Sequence, residues 1–339
     1  KKYDALFITI FPTYPALLGP LLKRRFGIPF VLDYIDPWVS AWGKEVGGGR
    51  NGSVDLKRKL TRSAALRLEP IAVRSADAIT AVSAATYEMI QERIPEARGL
   101  VTSAIPYGGD AADFTRLRAH PRKNQWFDKN DGDFHIVYMG TLLPLGFETL
   151  RSVLDALASM RDSDPDTYSR LRLHFVGTSN QTMGEPEPRV TQIARETGVA
   201  DRVKEYPRRV DYLDALQLQV DASAILLMGS SEPHYTASKL YPALLSGRPL
   251  LAVYHSASTV ADIMSEVTSP PDAFLVTYSD RDPVSTKAPA IAAALRSLAE
   301  RRVTIEVKWP EDRLEMFSAR SLARELARVF DKVSASQHN

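Results

Sequence analysis

Short apolar runs and helical patterns follow one another from one end of this chain to the other. That alternation constrains the fold more than any other feature. A strand rich in Val, Ile, Leu and Ala must be buried on both faces, and an intervening helix returns the chain so that the next strand lies parallel. The fold class is therefore α/β. At 339 residues the chain exceeds what one core usually holds, so two domains are expected.

In the first part, strands are expected at Leu6–Phe11, Phe30–Tyr34, Ala78–Val82 and Leu100–Ile105, with helices at Pro15–Phe26, Val54–Arg74 and Ala84–Arg93. This domain spans 1–115, and the polar stretch 116–133 reads as a structureless linker. A second series fills 134–310. Its strands are His135–Met139, Leu171–Val176, Val203–Tyr206, Ala222–Met228, Leu250–Tyr254 and Ala273–Val276. Helices lie near Phe147–Arg161, Glu187–Thr197, Tyr212–Val220, Ser238–Leu245, Ser258–Val267 and Pro289–Arg301. A last amphipathic helix, 311–332, carries Leu314, Phe317, Leu322, Leu326 and Phe330 at near-helical spacing. The chain opens at Lys1 in the approach to a strand, so its first domain is expected to be incomplete at the amino end.

Composition narrows the chemistry. Basic and acidic residues number 43 and 41, a balance that gives no support to nucleic-acid binding. The absence of cysteine excludes disulfides and thiolate chemistry and fits a reducing, cytoplasmic setting. Six scattered histidines show no metal-ligand spacing, so neither a metal nor a resident cofactor is expected. No apolar run reaches the ~18 residues of a membrane span.

The segment from Ala222 to Tyr254 reads strand, polar loop, helix, strand. Ligands of open parallel sheets bind beyond the carboxyl ends of the strands, where a helix start presents free N–H groups to an anion. Pro242 belongs in a first helical turn, which places the helix start near Ser238 and Lys239. Lys239 is thus a candidate for neutralising a diphosphate, against the alternative of a solvated lysine. Glu232 either grips a ribose or favours the helix dipole. Two glycine turns, Gly140-Thr141 and Gly177, close other strands on the same expected edge and let a backbone approach a ligand.

In the first half, the strand 30–34 runs into Asp36 and Trp38. Asp36 either takes a proton from a hydroxyl nucleophile or caps the turn before Pro37, whereas Asp33 reads as structural. Trp38 and Trp42 either stack on a sugar or pack beneath a glycine-rich loop, 47–52, that has the composition of a mobile lid. Helix 54–74 carries Lys57, Arg58, Lys59, Arg62 and Arg67 between leucines, a candidate for contact with anionic membrane or a solvated face.

Taken in order, several of these stretches resemble bacterial glycosyltransferases related to family 4, the subgroup containing a DPW motif. The matching stretches are Gly27–Trp38 (GIPFVLDYIDPW), Ser75–Ser83 (SADAITAVS), Ile105–Asp110 (IPYGGD), Tyr138–Leu142 with Pro144–Leu150, and Ser238–Tyr241 with Ser246–Ala252. The resemblance spans nearly the whole chain. It implies the GT-B fold, two Rossmann-like domains facing across a cleft with the final helix packing back on the first. It also implies transfer of a sugar from a nucleotide-diphosphate sugar, without intrinsic metal and with retention, to a hydroxyl acceptor, lipid-linked or otherwise. Such transfers serve cell-surface polysaccharide or glycolipid assembly in the cytoplasm, at the inner face of the membrane. Donor contacts would then fall on Gly140, Thr141, Gly177, Glu232, Ser238, Lys239 and Leu240, acceptor contacts on Trp38 and Trp42, and catalysis on Asp36. Four positions depart from the family pattern: Thr141 and Leu145 replace its Arg and Lys, Pro242 replaces its ribose-binding glutamate, and Asp36 stands where a histidine is frequent, although the DPW subgroup also has Asp there. A nucleotide-sugar epimerase and a non-catalytic partner of the same fold are the alternatives.

Overall fold

The structure, a computed structural model, describes residues 3–39, 52–181, 184–230, 238–301 and 306–335, with the side chains of 52–58 set aside. Trp42, Glu232 and the glycine-rich stretch 47–51 lie outside those residues. Two compact units are present, one formed by 1–107 with 320–339 and the other by 108–319.

The first unit holds a four-stranded sheet of β1 (Leu6–Thr9), β2 (Phe30–Tyr34), β3 (Ala78–Ala81) and β4 (Val101–Ala104), parallel and in sequence order. The register aligns Phe7, Val31, Ala78 and Val101 in one row. That row meets Val329, Phe330 and Val333 of the helix Ala319–Ala335. The next row on the same face is polar, Thr9, Asp33, Thr80 and Ser103. Within it, Thr80 donates to Asp33 at 2.7 Å and Ser103 donates to Glu325 of the helix at 3.3 Å. The opposite face buries Phe30, Leu32, Tyr34 and Ile79 beneath the helix Gly52–Val73.

The second unit carries six parallel strands: β5 (Phe134–Met139), β6 (Leu171–Val176), β7 (Val203–Tyr206), β8 (Ala224–Met228), β9 (Leu250–His255) and β10 (Ala273–Tyr278). Their order is β10-β9-β8-β5-β6-β7. Alternate residues feed two apolar layers: Ile136, Tyr138, Leu226 and Val253 go to one, and Val137, Ile225, Leu227 and Ala252 to the other. Helices cover both faces, which is why β8 and, up to His255, β9 are apolar runs rather than alternating.

Two expected segments differ. The stretch 116–133 is not structureless. It begins inside a helix, Ala111–Ala119, capped by Asp110 and anchored by Phe114 and Leu117 against Leu216. Trp126 and Phe127 then pack on the second sheet. The carboxyl-terminal helix is two pieces, Glu311–Glu315 and Ala319–Ala335. Between them the backbone pairs with Gly109, whose N–H donates to Phe317 and whose carbonyl accepts from Ala319. Only the longer piece packs on the first sheet. Among the described residues no helix is long and apolar enough to cross a membrane.

Candidate functional site

The strand order of the second sheet reverses between β5 and β8: successive strands run outward through β6 and β7 on one side and through β9 and β10 on the other. Such a reversal leaves a crevice beyond the carboxyl ends, because the connecting loops part to opposite faces there. At that point stand Gly140 and Thr141 after β5, Gly229 and Ser230 after β8, and Lys239.

Gly140 has φ +103°, a left-handed conformation that favours glycine, and its N–H donates to the Val176 carbonyl at 2.8 Å. A methyl group built there would lie 2.9 Å from Cε of Lys239. The glycine therefore gives its space to the lysine stem. Gly177 continues this edge beside Gly140, with φ +73° and its N–H on the Tyr206 carbonyl.

The Lys239 ammonium donates to the Thr141 carbonyl at 2.9 Å and to the Tyr138 hydroxyl at 2.5 Å, lying 4.3 Å above the tyrosine ring centre. Tyr138 is buried, and its hydroxyl also donates to the Thr141 carbonyl. Among the described residues no carboxylate pairs with Lys239. Burial of the amine pushes it down to about 7, although the residue as a whole is half-buried. A desolvated cation without a counter-ion is an arrangement suited to an anionic ligand.

The helix after the loop is short, Leu240–Leu245, with Pro242 in its first turn as expected. Leu240 is buried in the apolar layer that contains the strand residues Val137 and Ala252, so it can offer only its backbone to a ligand, while Ser238 is exposed in the preceding turn. The neighbouring β7 end contributes Glu205, which accepts from Thr178 Oγ1 and from the N–H and hydroxyl of Thr191. On the other side Tyr278 donates to the Ser230 carbonyl at 2.7 Å and braces the turn after β8. Sequence reasoning missed Tyr138, Glu205 and Tyr278. Each occupies a strand position that reads as core or as a solvated edge until the neighbouring loops are in place.

In the first unit Asp36 is exposed in the bend after β2. Trp38 is 9% exposed and belongs to the apolar core, with Tyr14 edge-on at 6.5 Å. It is thereby a packing residue, and only its rim lines a 110 Å³ cavity with Thr13, Tyr14, Thr61 and Arg62. Asp33, bonded to Thr80, has its carboxyl raised by burial. The structure thus brings together Gly140, Thr141, Gly177 and Lys239, and places Asp36 and Trp38 in the other unit.

No family model matches the chain, and no curated protein is similar to it in sequence. Solved structures are similar in fold. HepE from Anabaena, in complex with UDP, is 18% identical, with a TM-score of 0.59 over 96% of this chain and 79% of that one. The chain has the GT-B fold. A UDP-forming trehalose-phosphate synthase from Burkholderia xenovorans is 14% identical, with a TM-score of 0.66 over 98% of this chain and 75% of that one. HepE with UDP-glucose bound superposes with a TM-score of 0.58 at 19% identity, over 98% of this chain and 79% of that one.

Proposed function

We propose that this protein is a glycosyltransferase that moves a sugar from a nucleotide-diphosphate sugar to a hydroxyl acceptor. The observation that carries the reading is Lys239, a cation with no counter-carboxylate among the described residues, at the point where the second sheet's strand order reverses. Proteins of the same fold hold UDP and UDP-glucose, which supports a uridine nucleotide as the ligand. In the transfer, the acceptor oxygen bonds to the anomeric carbon as its bond to the diphosphate breaks. The nucleoside diphosphate leaves with the bonding pair. Lys239 stabilises the charge that develops on it, a preorganised electrostatic contribution, with Gly140, Thr141 and Gly177 bordering the ligand and the backbone of Ser238 and Leu240 facing it. Asp36, exposed after β2, is assigned to orient or deprotonate the acceptor hydroxyl.

The finer reading rests on the motif resemblance: the DPW subgroup of family 4, retention, independence of metal, and cell-surface polysaccharide or glycolipid synthesis. Contact with an anionic membrane is favoured by the helix Gly52–Val73, where Lys59 and Arg67 are exposed beside exposed Leu60, Leu66 and Ile71. A non-catalytic role is the second reading, favoured by the substitutions at Thr141, Leu145 and Pro242. The test is release of nucleoside diphosphate from UDP-glucose and related donors, with and without hydroxyl acceptors. Acceptor-dependent release that falls at least about a hundredfold in Asp36→Asn supports the transferase, on the usual scale of acid–base catalysis. Epimerised donor without acceptor would point to the epimerase, and binding without turnover to the partner role.

A further inference from the structure

Lys239 can donate three N–H bonds when charged and two when neutral. Among the described residues it has two acceptors, the Tyr138 hydroxyl and the Thr141 carbonyl. The lysine stem occupies the space that a side chain at Gly140 would fill, and the aromatic ring of Tyr138 lies below the amine. The cradle therefore accepts both N–H groups of an amine but only two of the three of an ammonium.

We propose that Tyr138 is a positioning residue that holds Lys239 ready to take up a proton when a diphosphate arrives, so that ligand binding and protonation at this edge are coupled. The inference deepens the donor-site reading above and rests on it. An incoming diphosphate oxygen supplies the missing third acceptor, and its charge favours the ammonium; solvent supplies the proton. The groups packed around the amine come from β5 (Tyr138), the turn after it (Gly140, Thr141) and the helix Leu240–Leu245, and no charged group among the described residues acts on it. Burial brings this lysine down to about 7, which makes the coupling visible near neutrality.

The experiment is calorimetry of UDP binding between pH 5.5 and 9.5, in buffers of different ionisation enthalpy, with the titration of UDP itself subtracted. The wild-type protein is expected to take up close to one proton per UDP near pH 8, with affinity falling toward tenfold for each pH unit. Lys239→Met abolishes both the uptake and the slope. Tyr138→Phe keeps the ring but removes one acceptor, and the break in the pH profile moves to lower pH, a shift that a purely structural tyrosine would not produce. UDP binding with no proton uptake and a flat profile would overturn the coupling and leave the donor site standing. An unmoved break in Tyr138→Phe would remove the role of Tyr138. Absence of UDP binding at every pH, in folded protein, would overturn the donor-site reading and this inference with it.

Discussion

A hydrogen atom in place of a methyl group at residue 140 is what lets the Lys239 stem cross the end of β5. Gly140→Ala would add both a contact at 2.9 Å and a side chain at φ +103°. Stability is expected to fall by about 1–3 kcal/mol in denaturant titrations, with UDP affinity reduced as the lysine is displaced. A second residue-scale consequence concerns His174, whose Nε2 bonds His135 at 3.0 Å while His135 bonds Asp131 and Phe127 stacks over both rings. Burial first, then the His135, Lys204 and Arg172 charges, hold this imidazole down to about 3 against an ordinary 6.5, with Asp131 opposing. The folded state keeps it neutral where the unfolded chain protonates. Its contribution is therefore complete above pH 6.5 and is lost as pH falls from there toward 3, by at most about 5 kcal/mol. Urea midpoints measured from pH 7.5 to 4.5 should show this slope, and His174→Leu should flatten it. The place of Lys239 at the helix start was legible because Pro242 belongs in a first turn. Tyr138 was not, because its period-two position assigns it to an apolar layer and its hydroxyl acquires a role only when residue 239 comes back to it.

Among elements, strands buried on both faces were legible almost to the residue; β2 and β6 have the bounds expected from their apolar runs, and the partly exposed edge strand β7 also keeps its expected bounds. What sequence periodicity could not reveal were features set by distant backbone. The break after Glu315 depends on Gly109, two hundred residues earlier in the chain, taking the N–H and carbonyl bonds that would have continued the helix. Likewise the polar stretch 120–133 acquires its place from Trp126 and Phe127, two apolar residues too few to mark an element. The longer carboxyl-terminal piece is held by Val329 and Val333, each 2% exposed against the row of Val31 and Ala78. Val329→Asp would put an unpaired carboxylate into that row. It should destabilise the first unit by at least about 3 kcal/mol, seen as a lower-temperature transition by calorimetry. Leu240→Ala should cost about 2–5 kcal/mol and loosen the start of the helix that carries Lys239, weakening UDP binding beyond what the cavity alone explains.

At the scale of the molecule, two parallel sheets built from successive halves of the chain follow from the alternation in the sequence. The order within the second sheet does not. Nothing in the runs themselves says that β8 returns to lie beside β5, yet this reversal creates the crevice and gathers Gly140, Thr141 and Lys239. The central claim is that this edge binds a nucleoside diphosphate through Lys239. The most direct test is calorimetric titration of UDP, with GDP, ADP, CMP and dTDP beside it, into the wild-type protein and into Lys239→Ala at pH 7. Saturable binding of one nucleotide is expected, weakened at least about tenfold in the variant, as loss of a charge-assisted bond requires. Equal affinity in both proteins, or no binding by a demonstrably folded wild type, would contradict it.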